Sequence, residues 1–135
     1  IIISFVFMIS TKIAFLLILS FFSIVFIQSG LDKVFDRNGN LNFLYDLLGS
    51  VFHKALIHLA FVVVTVLELG SGFFCLAGVF NSFFNDSSSL GLIGLIIGSI
   101  ALLVLLFGQR VSKNYEGAKT ITIYFILSII GVLLA

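Results

Sequence analysis

Proline and tryptophan are absent from this chain, cysteine occurs once, and charged side chains make up only 10% of its 135 residues. Soluble domains carry roughly 25% charged residues, so a water-facing surface cannot be assembled from this composition. Without proline the commonest cause of helix kinks is missing, and the helices are expected to run straight. Without tryptophan, and with only three tyrosines, the aromatic belt at a membrane interface is thin. The lone Cys75 excludes an internal disulfide or a CxxC redox pair. A net charge of +1 with no basic cluster argues against a nucleic-acid partner.

What is present in abundance is apolar: 61% of the residues, with 17 phenylalanines and a mean hydropathy of +1.31. These residues fall into long runs separated by short polar segments. About 20 apolar residues cross a roughly 30 Å hydrocarbon core, and the chain has room for four such helices and no sizeable soluble domain. The spacing predicts spans at about 11–31, 55–80, 90–107 and 119–135, that is, an all-α, integral-membrane four-helix bundle in contact with the bilayer. Residues 1–10 are expected to form an interfacial or extended helical arm, with Lys12 at the interface. No small-residue cleavage motif follows them, so a removed leader is not expected. The chain opens without an initiator Met, so residues upstream of Ile1 are expected.

Between the first two spans lies Gln28-Ser-Gly-Leu-Asp-Lys-Val-Phe-Asp-Arg-Asn-Gly-Asn40. Asp32 and Asp36, like Lys33 and Arg37, are four apart, and this group reads as an interfacial charge cluster marking the membrane boundary. Asn38-Gly39 is expected to make the turn and Asn40 to cap a short amphipathic helix over about 41–53, lying on the membrane. Lys33, Arg37, Lys54, Arg110, Lys113 and Lys119 all fall in loops on one side, against Lys12 alone on the other. The positive-inside rule therefore places both basic loops in the cytoplasm and both termini outside.

Within the second span a single acid, Glu68, interrupts an otherwise apolar run. An ionisable group at that depth costs roughly 2.5–3.5 kcal/mol on insertion scales and by default has a partner or a purpose. His58, Thr65, Glu68, Gly72 and Cys75 are spaced by 7, 3, 4 and 3, one stripe of a helix that should face the bundle interior. In the third span Gly91, Gly94, Gly98 and Ala101 form a small-residue face where helices approach closely. In the fourth, Tyr124 heads a face completed by Ser128 and Gly131. No P-loop, hydrolytic triad or metal-ligand spacing is present, and His53 and His58, five apart, do not offer a haem two ligands on one face.

Three stretches resemble the DoxX-like integral membrane proteins of the type found in flavobacteria. They are Ser29-Gly30-Leu31-Asp32-Lys33 at the end of the first span, Glu68-Leu-Gly-Ser-Gly-Phe-Phe-Cys-Leu-Ala-Gly78 in the second, and Gln109-Arg-Val-Ser-Lys-Asn-Tyr-Glu-Gly-Ala-Lys119 after the third. The resemblance covers nearly the whole chain and implies a four-helix bundle of the bacterial cytoplasmic (inner) membrane. Lys33 and Glu68 match the family's lysine after the first helix and its acid in the second. The family's association with thiosulfate:quinone oxidoreductase and with redox membrane complexes implies an accessory subunit of a larger, respiratory or redox assembly, without catalytic activity of its own. The lone Cys75 lends no support to autonomous thiol chemistry. Two alternatives remain at this level. One is a quinone-interacting subunit using Glu68 with His58 or Tyr124, quinone being the one cofactor suggested; the other is a small proton or solute transporter. If Glu68 is purely structural, it sets helix register.

Overall fold

The computed structural model describes the whole chain, Ile1–Ala135. Five α-helices follow one another: α1 (Ile2–Phe35), α2 (Arg37–Leu48), α3 (Lys54–Asn85), α4 (Ser89–Val111) and α5 (Tyr115–Leu134). All but α2 are long and apolar enough to cross a membrane, which makes this a multi-pass membrane protein. The architecture is the four-helix bundle expected from the apolar runs, with α2 as an additional short helix. α3 is central, packed against both α1 and α4; α5 lies on α4 and touches α1.

The helix ends differ from the sequence expectation in informative ways. α1 is continuous for 34 residues, about 51 Å, so residues 1–10 are a helical arm in line with the first span. Asn38-Gly39 is not a turn and Asn40 is not an N-cap: both positions lie inside α2, and the chain bends at Asp36 alone. The reason is visible in the side chain of Asn40. Its Nδ2 donates to the carbonyls of Asp32 and Asp36, satisfying the end of α1 from within the next helix and removing the need for a loop. α2 accordingly occupies 37–48 rather than 41–53, and His53 caps α3 by accepting from the Ala55 amide. The polar segments 81–89 and 108–119 are mostly helical as well. The α3–α4 turn is reduced to Asp86–Ser88, with Asp86 in the left-handed region that short polar side chains tolerate, and the α4–α5 turn to Ser112–Asn114, with Lys113 there.

The core is made by one face of α1, Phe15, Ile18, Leu19, Phe22 and Phe26, against Cys75, Leu95 and Leu102. The glycine face of α4 meets α3 closely. A β-carbon on Gly94 would fall 2.7 Å from the Cys75 amide nitrogen, and one on Gly98 would strike the Ser71 hydroxyl and Phe26; Ala101 is fully buried in the same row. Ser71 Oγ donates across this interface to the Gly94 carbonyl at 2.7 Å. Ser71→Ala should therefore lower stability by about 0.6–2 kcal/mol, the range of interhelical hydrogen bonds in membranes; unfolding in mild detergent would measure it.

Contacts fix the vertical register of α1 on α3. Lys12 pairs with Asp86, Leu19 lies at Gly78, Ile27 at Gly72 and Leu69 at Gly30. About 15 Å of apolar α1 therefore projects past the α3–α4 turn, every residue of it exposed. At its other end α1 stops short of the start of α3, which continues beyond it for about 15 Å toward Lys54. α2 returns the chain along that gap.

Candidate functional site

The end of α1 inside the bundle creates the site. Glu68 sits near the centre of α3, about 21 Å from Lys54 and about 26 Å from Asn85 along the axis. Its side chain is 2% exposed, and Lys33 Nζ donates to its Oε2 at 3.0 Å. Lys33, 16% exposed, also donates to Ser29 Oγ at 2.8 Å on its own helix. An ammonium has three N–H donors, so one remains uncommitted.

Of the charged segment 32–37, Asp32, Asp36 and Arg37 are exposed, and Lys33 alone departs from an interfacial cluster. Lys33 turns into the bundle. Arg37, the first residue of α2, contacts His58 Nε2; a guanidinium only donates, so the imidazole nitrogen is the acceptor. Asp32 accepts from Asn40 at 3.2 Å, and Asp36 forms the α1–α2 junction. Two further cations at this end stack on aromatic rings, Lys54 over Tyr45 and Arg110 over Tyr115.

Of the stripe on α3, Thr65, Glu68, Gly72 and Cys75 are buried and His58 is half-buried. They do not act together. Thr65 returns its hydroxyl to the Phe61 carbonyl, Cys75 is packed in the core, and His58 belongs to Arg37. Tyr124 is not part of the constellation: its ring packs edge-on against Phe21, and no hydrogen bond joins it to Glu68 or His58. The grouping of Glu68 with His58 or Tyr124 is thus replaced by Glu68 with Lys33 and Ser29.

Beside the pair lies a cavity of about 350 Å³ between α2, the first half of α3 and the end of α4. Leu44, Leu47 and Leu48 form one wall, Ile57, Phe61 and Val64 another, Val104 and Leu105 a third, and Lys33, Asn40 and Gln109 supply polar edges. Phe43, Leu56 and Phe107 at its rim are half or more exposed, so it communicates with the lipid side. A smaller space of about 160 Å³ lies on the other side of Lys33, bounded by Arg37, Val62, Thr65 and Val66. Glu68 lines neither; it stands behind Lys33.

The Lys33–Glu68 pairing spans 35 residues and was not drawn from the sequence, yet a signal was there. Phe15, Leu19, Phe22, Phe26, Gly30 and Lys33 are separated by 4, 3, 4, 4 and 3, so Lys33 continues the buried face of α1 rather than its lipid face. Comparison with protein-family models, curated proteins and solved structures returns no match for this chain.

Proposed function

We propose that this chain is a DoxX-like, non-catalytic accessory subunit of a larger respiratory or redox complex in the bacterial cytoplasmic membrane, with the basic loops on the cytoplasmic side. The observation that carries the reading is the arm of α1. Ile2, Ile3, Phe5, Val6, Phe7 and Met8, each more than half exposed, project beyond the polar Asp86–Ser88 turn, an apolar surface on every side of a helix that suits the apolar helices of a partner subunit. The interior supports it too. The one intramembrane acid is neutralised by Lys33, and Ser20, Ser23, Thr65 and Ser128 spend their hydroxyls on carbonyls of their own helices, which favours a register-setting role over a transport path. Purified in mild detergent from native membranes, the chain is expected in a stoichiometric assembly with cofactor-bearing subunits. Phe5→Asn/Phe7→Asn should release it without changing the thermal stability of the isolated bundle. A chain that runs alone or as a homo-oligomer would end this reading.

A quinone-interacting subunit is the second reading, favoured by the apolar cavity with Lys33 in its lining, whose uncommitted third N–H a ring carbonyl would accept. Ala60→Phe, which fills the cavity away from the ion pair, should then abolish quinol turnover by the assembly without dissociating it. Unchanged turnover would remove the quinone.

A further inference from the structure

Lys33 meets the cavity as part of a pair, and that decides the charge of what the cavity can hold. A lone lysine on an apolar wall would recruit an anion, such as a fatty carboxylate, because a buried cation needs a counter-charge. Here Glu68 already supplies it at 3.0 Å from behind. An anion brought to the free N–H of Lys33 would stand beside a second negative charge, desolvated and without net compensation. A neutral oxygen acceptor has no such penalty and still receives a charge-assisted hydrogen bond.

From this we propose that the cavity under α2 is a binding site for a neutral, single-chain amphiphile with a carbonyl head, of the ester or ketone class. Glu68 is its specificity-determining residue. The carbonyl oxygen accepts from Lys33 Nζ, and the chain lies along Phe61, Leu47 and Leu44 and leaves past Phe43 into the bilayer. A volume of about 350 Å³ is at the small end for drug-sized ligands, so it takes the head and the start of one chain and excludes a two-chain phospholipid. The inference concerns the cavity of the quinone reading but none of its redox chemistry, so binding can hold where turnover fails.

The test uses the purified full chain in phosphatidylcholine nanodiscs with a photoreactive diazirine analogue of methyl hexadecanoate. Unlabelled methyl hexadecanoate and hexadecanesulfonate, which is ionised at every accessible pH, serve as competitors. Saturable labelling of α2 and the first half of α3 is expected, with the ester competing at least about tenfold better than the sulfonate. Ala60→Phe should abolish labelling. Glu68→Gln leaves the Lys33 charge uncompensated and should reverse the order of the competitors. Lys33→Met/Glu68→Leu, which keeps the space but not the charges, should leave no carbonyl-dependent preference. If Glu68→Gln does not yield folded protein, the wild-type competition alone decides. Equal competition, a preference for the sulfonate, or labelling that bulk phosphatidylcholine prevents from saturating would overturn the proposal.

Discussion

Lys33→Met is expected to destabilise the bundle by about 3–5 kcal/mol, because the Glu68 carboxylate, 2% exposed at mid-helix, is left without its counter-charge. Glu68→Leu should cost a similar amount by stranding the ammonium. The double variant Lys33→Met/Glu68→Leu should recover most of the loss, since two apolar side chains of similar volume replace a pair whose desolvation roughly offsets its attraction. Reversible unfolding of the four proteins in one detergent closes the cycle, and a large coupling energy is the expected reading. Additive losses would mean that the two charges do not meet. Lys12 and Asp86 form the contrasting pair: at 39% and 85% exposure they are screened, and Lys12→Ala should change stability by less than about 1 kcal/mol.

The second large effect is steric. At the crossing of α3 and α4, a β-carbon on Gly78 would lie 2.5 Å from the Gly91 α-carbon and 2.6 Å from its nitrogen, both backbone atoms that cannot turn aside. Gly78→Ala must push two helices apart, at about 1–3 kcal/mol or more. Parting the helices would also loosen the Ser71–Gly94 hydrogen bond, about one turn along α4 from Gly91. Gly70 lies on the same helix with nothing within 4 Å of an added β-carbon, so Gly70→Ala should stabilise by up to about 1 kcal/mol through helix propensity. Opposite signs from one substitution eight residues apart would locate the helix crossing; equal effects would place it elsewhere.

Gly78 also shows how much of the fold was readable in advance. The face Gly91, Gly94, Gly98 and Ala101 stands out by spacing, and the structure buries all four against α3 or the core. Its partner glycine at 78 carries no such regular signature, because what selects it is the register of another helix. The helical course of residues 37–40 is hidden from the sequence for a related reason. A cluster of two acids and two bases beside Asn-Gly looks like a loop in water, and local pattern cannot reveal that Asn40 caps α1 from the first turn of α2.

Membrane residence, four spans, their approximate places and the anomaly of Glu68 followed from the sequence alone. Hydrocarbon demands about 20 apolar residues per crossing, and that demand is written locally along the chain. Which lysine answers Glu68, that His58 serves Arg37, that Tyr124 stands apart, and that a cavity opens where α1 ends were decided only by tertiary structure. Each depends on how far one helix slides along another. That slide is set by close contacts at Gly30 with Leu69, Gly72 with Ile27 and Gly78 with Leu19, where the missing side chains let α1 and α3 approach until Lys33 stands level with Glu68.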